Sequence, residues 1–338
     1  MKLANDVEAL LIPVPKPSNW VPDRYDVGLH DVMVDWKTAE VPDVGIVGIP
    51  FDTAVMGRRG CKFGPESVRS SLVFSYVYDA GLNVDLSSGL SITDFGNIDV
   101  IHTDVLRTHE RVEKVLTAIN QAGVTPAIIG GDHSLAYPDV KALINATKGR
   151  VGVINIDSHL DVRHSHHDEV SSGTPFRRLM EEPDRPILGK NIVEIGINGW
   201  LNSRYYMDYC NKMGMTVIPA REVHRRNVDD VIAQALAAVT DGTEAFFLSF
   251  DIDGIDLSAA PGTCAPSPGG LTQYEALEIV WQVGQHPLCR GMDVMEVAPS
   301  LDAAGVTSMM GAALIMNFLG ATKVRKERER VASAVAAD

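Results

Sequence analysis

Residues 245–256 read Ala245-Phe246-Phe247-Leu248-Ser249-Phe250-Asp251-Ile252-Asp253-Gly254-Ile255-Asp256, an apolar run that passes at once into carboxylates. Six such residues with a single hydroxyl among them suit a strand covered on both faces, as in a parallel sheet. The pattern occurs twice more. Thr125–Ile129 runs into Gly130-Gly131-Asp132-His133-Ser134, and Val151–Ile156 runs into Asp157-Ser158-His159-Leu160-Asp161. Ligands of open parallel sheets bind beyond the carboxyl ends of the strands, so three strand ends deliver imidazoles and carboxylates to one edge.

Outward from these runs the chain alternates. Further strands are expected at Val44–Ile49, Ile192–Ile197, Thr216–Ile218 and Gly291–Val297. Helices are expected at Asp104–Ala122, Tyr137–Ala146, Ser203–Met213, Val228–Thr240, Gln273–Gly284 and Thr307–Leu319. Strands alternating with helices predict an α/β fold, a parallel sheet wrapped by helices on both faces. Residues 1–42 are rich in Pro, Asp and Trp without a clean period and read as an irregular arm. Residues 43–322 form one catalytic domain with no linker inside it, and 323–338 read as a charged, solvated helical tail.

Of 338 residues, 45% are hydrophobic and 22% charged, the balance of a globular chain with a large core. The net charge of −14 argues against a nucleic-acid or anionic-membrane partner, either of which wants a basic face. Four cysteines without Cys-x-x-Cys spacing fit a reducing, cytoplasmic setting. The N-terminal apolar run is short and broken by prolines, which fits neither a signal peptide nor an anchor.

Spacing carries the chemistry. Asp157, His159 and Asp161 stand at i, i+2 and i+4, and Asp251 and Asp253 at i and i+2, so in extended backbone each set shares a face. Crowded carboxylates repel unless cations neutralise them. A lone Asp-x-Asp is ordinary surface chemistry, His133 alone suits a core histidine, and Asp256 suits a turn or cap. Three such clusters, each after a buried-strand pattern, instead fit two divalent ions held by His133, Asp157, His159, Asp161, Asp251 and Asp253. Two ions sharing a water supply a nucleophile near neutral pH and a Lewis-acid clamp, the equipment of a hydrolase.

These motifs resemble the ureohydrolase family, which contains arginases, agmatinases, guanidino-acid hydrolases and formiminoglutamases. The matching segments are Gly130–Ser134, Asp157–Asp161 (where the usual form is Asp-Ala-His-x-Asp) and Ser249–Thr263. Gly48–Asp52 with Gly64–Arg69, and Asp293–Pro299, agree in order. The resemblance spans about residues 44–320 and implies a three-layer α/β/α sandwich with a mostly parallel central sheet, assembled as trimers or hexamers. It implies a pair of Mn²⁺ ions, with Ni²⁺ as the alternative. One would rest on His133, Asp157, Asp161 and Asp251, the other on His159 and Asp253, with Asp157 and Asp251 bridging. Glu296 would take the substrate's guanidinium, a planar cation well matched to a carboxylate. Asp161 would handle the proton that the leaving amine needs.

The loop after Asp161 departs from arginases and agmatinases. Where they carry a histidine just before a glycine, this chain has Ser172 before Gly173. His164, His166 and His167 are the candidates to replace that proton shuttle, against the plainer reading of a solvated polar loop. Ser172-Gly173-Thr174-Pro175-Phe176 and the stretch through Asn202 are similar to formiminoglutamases, whereas Gly130–Ser134 followed by Leu135–Pro138 is similar to agmatinases. Arg163, Ser172 and Asn202 join Glu296 as candidate substrate contacts. The expected reaction is hydrolysis of a C–N bond in a guanidino acid, guanidine or a substituted guanidine or biguanide, giving urea or a urea-like product. The alternatives are formiminoglutamate hydrolysis and a role as one subunit of a mixed ureohydrolase oligomer. Cys264, without a histidine beside it in sequence, is expected to pack and not to act as a nucleophile.

Overall fold

The structure is a computed structural model, and it describes residues 1–14, 23–38, 40–164 and 169–337. In chain order the strands are β1 (Leu11–Ile12), β2 (Val44–Gly48), β3 (Tyr78–Asp79), β4 (Val84–Asp85), β5 (Ile92–Ile98), β6 (Thr125–Ile129), β7 (Val151–Ile156), β8 (Ile192–Ile197), β9 (Thr216–Pro219), β10 (Ala245–Phe250) and β11 (Cys289–Val294). The helices are α1 (Asn5–Glu8), α2 (Leu29–Val32), α3 (Gly64–Leu72), α4 (Val105–Gln121), α5 (Ala136–Ala146), α6 (Pro175–Met180), α7 (Arg204–Met213), α8 (Ala220–Val223), α9 (Val228–Val239), α10 (Gln273–Gly284) and α11 (Val306–Ala337).

Among the described residues nine strands make one sheet in the order β1-β5-β2-β6-β11-β10-β7-β8-β9, parallel throughout except for the β1–β5 pair. The apolar runs read from the sequence are this sheet, and every residue of β2, β6, β7 and β10 is buried. Two cores lie on its two faces. One contains side chains of α3, α9, α10 and α11, the other side chains of α4, α5, α6 and α7. Helix ends follow local chemistry. Asp104 caps α4 by accepting from the Arg107 amide at 3.0 Å, worth about 1 kcal/mol. Thr272 and Glu275 form a reciprocal capping box on α10, and Gly214 at φ +77° stops α7. Among the described residues no helix is long and apolar enough to cross a membrane.

Three expectations change. The arm is not wholly irregular: β1 pairs with β5, and Val7, Leu11 and Trp36 are buried against the core because they cover the open edge of the sheet. Strand β5 escaped the sequence reading because Thr93, Asp94, Gly96 and Asn97 interrupt its apolar residues. Asp94 is held there by a two-pronged hydrogen bond from Arg69 at 2.8 and 3.0 Å, and Gly96 takes φ +82°. The C-terminal segment is no separate tail but the continuation of α11. Arg325 is buried in it and donates to the carbonyls of Gly284 (2.9 Å) and Cys289 (2.5 Å), and Lys323 reaches those of Asp85 and Ser88.

Candidate metal centre

The four strands at the middle of the sheet end in the site. Register pairs Ile156 of β7 with Phe250 of β10, so the next residues, Asp157 and Asp251, leave the sheet side by side. Register likewise pairs Ile129 of β6 with Val294 of β11, and beyond them the Glu296 amide donates to the Gly131 carbonyl at 2.8 Å. Glycine is required at that crossing, since a Cβ on Gly131 would lie 1.7 Å from the Phe51 carbonyl oxygen. His133 then enters on a 3-10 turn capped by Asp132, which accepts from the Ser134 amide at 3.1 Å and from Ala54 at 2.9 Å.

Short side-chain turns aim the carboxylates. Asp157 Oδ1 accepts from the His159 amide at 2.6 Å, and Asp251 Oδ1 from the Asp253 amide at 2.9 Å. The other oxygens face His133, whose Nδ1 lies 2.9 Å from Asp161 Oδ2, 3.1 Å from Asp157 Oδ2 and 3.4 Å from Asp251 Oδ2. His159 Nδ1 lies 3.2 Å from Asp253 Oδ2 and 3.3 Å from Asp157 Oδ1. Five of the six expected ligands fall in two groups sharing Asp157, His133 with Asp157 and Asp161, and His159 with Asp157 and Asp253, and Asp251 joins them through its 3.4 Å approach to His133. Asp161 and Glu296 hold left-handed backbone at φ +45° and +65°. Non-glycine residues adopt this at a cost of about 1–3 kcal/mol, a strain typical of functional sites.

Burial pushes the Asp251 carboxyl well up, with the charges of Asp253 and Asp157 adding to it, and pushes Asp253 up to about 6. Burial alone would lower both histidines. The carboxylates outweigh it, raising His133 and pushing His159 up to about 12. Asp157 is held below the ordinary carboxylate range against its burial by hydrogen bonds from His133 and His159. Protons on imidazole thus stand where cations would, and divalent ions would displace them.

The donor set fits such ions. His133 Nε2 lies 3.0 Å from Ser249 Oγ, which gives its own proton to Asp293 at 2.9 and 3.1 Å. Nε2 therefore donates to Ser249, which leaves the buried Nδ1, facing Asp157, Asp161 and Asp251, as the atom that would hold an ion once its proton is displaced. Behind the bridging carboxylate, Asn155 Nδ2 reaches Asp157 (3.3 Å) and Glu194 (2.7 Å). Burial, then the Asp157 charge, raise the Glu194 pKa. The sequence reading missed Ser249, Asp293, Asn155 and Glu194. Their signal was a polar residue inside an otherwise apolar strand.

Beside the cluster is a cleft of about 220 Å³, lined by His133, His159, Asp161, Asp251, Asp253 and Glu296 with Arg163, Ser172, Leu201, Met56 and Cys264. A larger cavity of about 780 Å³, between the N-terminal segment and β5, contains none of these residues. Glu296 is buried; its Oε1 accepts from the His133 amide at 2.9 Å and its Oε2 has no hydrogen-bond partner among the described residues. Arg163 is the one guanidinium among the described residues lining the cleft. It lies over the Tyr206 ring at 5.5 Å and pairs with no carboxylate among the described residues. Ser172 lines the cleft and its Oγ accepts from the Met56 amide at 3.1 Å. Asn202, expected at the substrate, instead gives its amide to the Ser158 carbonyl (2.8 Å) and accepts from Leu160 (3.0 Å), holding the backbone around His159. Leu201 takes the lining position. His164 is exposed and does not line the cleft, and His166 and His167 lie outside the described residues.

Residues 42–320 match the family model described as the arginase family. The formimidoylglutamase of Halalkalibacterium halodurans is 32% identical over 299 residues, covering 88% of this chain and 92% of that protein. The crystal structure of formimidoylglutamase from Bacillus subtilis superposes with a TM-score of 0.85 at 31% identity, over 92% of this chain and 96% of that one. Trypanosoma cruzi formiminoglutamase, solved with Mn²⁺, does so with a TM-score of 0.82 at 29% identity, over 89% and 99%.

Proposed function

The chain belongs to the arginase family, and from that premise we propose that it hydrolyses the amidino C–N bond of a small guanidino acid. One observation carries the choice of an acid over guanidine or a biguanide: among the described residues Arg163 lines the cleft with no carboxylate partner, while Glu296 presents a carboxylate oxygen with no hydrogen-bond partner to the same cleft. A substrate with an amidinium at one end and a carboxylate at the other satisfies both. The volume, about that of seven waters in the liquid, suits a small substrate.

His133, Asp157, Asp161, Asp251, His159 and Asp253 would hold a pair of Mn²⁺ ions, with Ni²⁺ as the alternative. When bound, the ions activate water and polarise the amidino carbon. Glu296 binds and orients the amidinium, and its strained backbone fixes that carboxylate against the His133 amide. Arg163 anchors the far end, which brings the scissile carbon to one place along the cleft. Asp161 moves the proton. Burial and the neighbouring Asp157 charge raise its carboxyl above the ordinary carboxylate range, the direction that favours taking a proton and passing it to the leaving amine. Ser172 offers a hydroxyl where an imidazole is usual, so proton traffic rests on Asp161.

A formimino acid is the second reading. It is favoured by Ser172 before Gly173 and by the likeness to formimidoylglutamases. A product panel decides: the Mn²⁺-loaded protein is given guanidino acids, formiminoglutamate, agmatine, guanidine and a biguanide, and urea, formamide and ammonia are measured. Urea from guanidino acids is expected. Formamide from formiminoglutamate alone would replace the first reading by the second, and turnover confined to guanidine, agmatine or biguanide would refute both.

A further inference from the structure

Cys61, Cys264 and Glu296 meet beside the cleft from three separate segments: the turn that opens α3, the loop after β10 and the exit of β11. Two sulfurs and a carboxylate oxygen, one atom from each residue, lie within 4.8 Å of one another. Both thiols are free and buried, walled by Ala298, Val55 and Leu301. Glu296 adds the independent sign of a ligand, because its buried Oε2 has no hydrogen-bond partner among the described residues. Sulfur and carboxylate make a softer donor set than the nitrogens and oxygens of the neighbouring cluster, and softness selects a different ion.

We propose that Cys61, Cys264 and Glu296 form a third metal site, taken by a thiophilic divalent ion such as Zn²⁺, whose binding removes Glu296 from the substrate. Zinc–sulfur bonds of about 2.3 Å in a tetrahedron place two sulfurs roughly 3.8 Å apart, inside the observed span. Cys264 and Glu296 line the cleft, so the fourth position opens on solvent. On binding, each thiol releases its proton to water as a sulfur–metal bond forms, and no electron is transferred. Burial, with the hydrogen bond to Cys264 adding to it, keeps the Cys61 thiol protonated when no ion is present. Uptake therefore strengthens as pH rises.

The claim that Zn²⁺ blocks turnover rests on the role given above to Glu296; the claim that the site binds an ion does not. The Mn²⁺-loaded protein, kept reduced and free of oxygen, is titrated with Cd²⁺ as a spectroscopic probe. The expected result is an ultraviolet thiolate-to-cadmium band saturating at one ion per chain and missing in Cys61→Ser and Cys264→Ser. The histidine–aspartate cluster contains no sulfur and cannot give that band. No band in the unaltered protein, or a band surviving in both variants, overturns the site. Since a serine variant can fail to fold, X-ray absorption on the unaltered Zn²⁺-titrated protein gives a second reading: two sulfurs at about 2.3 Å are expected, and a shell of nitrogen and oxygen alone refutes the proposal. Turnover undiminished with the band saturated overturns the inhibitory clause. A failed substrate panel leaves the band untouched.

Discussion

Replacing Gly173 by alanine perturbs substrate recognition without touching a ligand. An alanine Cβ there would lie 2.7 Å from Arg163 Cδ, 3.1 Å from Arg163 Nε and 3.0 Å from Met56 Sδ. Carbon contacts settle near 3.5–4.0 Å, so something must move by roughly 1 Å. The backbone is not free to part, because the Arg163 amide donates to the Gly173 carbonyl at 2.8 Å. The flexible Arg163 stem gives way and carries its guanidinium out of register with a substrate carboxylate. Losing one charged hydrogen bond costs about 1.5–3 kcal/mol, a drop of roughly 10–150-fold in kcat/KM. The assay compares kcat/KM for the best carboxylate-bearing substrate with that for the same amidine lacking the carboxylate, alongside metal content and melting temperature. A fall confined to the acid, with two metals and an unchanged melt, is expected. An equal fall on both compounds, or none, would refute the role of Arg163.

Asp157→Ala removes the carboxylate shared by both ligand groups and should take metal content and activity to background together while far-ultraviolet circular dichroism is kept; elemental analysis showing two bound ions would sink the dinuclear arrangement. His109 is held down to about 3 by burial and by the nearby Arg178 charge, so the folded protein keeps it neutral while the unfolded chain protonates below about 6.5. Its contribution is complete above pH 6.5 and is lost as pH falls from there toward 3. At pH 4.5 the loss is about 3 kcal/mol, and in urea titrations of metal-free protein the gap between wild type and His109→Gln should shrink by that amount. Arg325→Met leaves the Gly284 and Cys289 carbonyls without their donor and should cost about 2–4 kcal/mol, with unfolding free energy as the readout and kcat unchanged.

The apolar runs exposed most of the sheet in the sequence, because central parallel strands are buried on both faces and tolerate few polar residues. Where a polar residue does sit in a strand, it broke the reading: Asp94 and Asn97 concealed β5, since their partner Arg69 lies in a distant helix. The ligands were legible because each follows its strand at once. The residues that orient them were not, because Ser249 and Asp293 meet only when β10 and β11 lie side by side. Asn202 looked like a substrate contact, yet its amide is committed to the backbone around His159. Cys264 read as packing, and its meeting with Cys61 and Glu296 depends wholly on tertiary structure.

The order of the central strands governs how the protein is made. β6 and β7 are successive along the chain, yet β11 and β10 lie between them. At about 4.8 Å per strand spacing, a chain synthesised as far as α9 must hold β6 and β7 roughly 14 Å apart, with both inner edges unpaired. Such edges invite association with other chains until β10 and β11 fill the gap. His133, Asp157, His159 and Asp161 are synthesised by then, but Ser249, Asp253 and Glu296, which hold them, come later. The full donor set therefore exists only once β10 and β11 have filled the middle of the sheet.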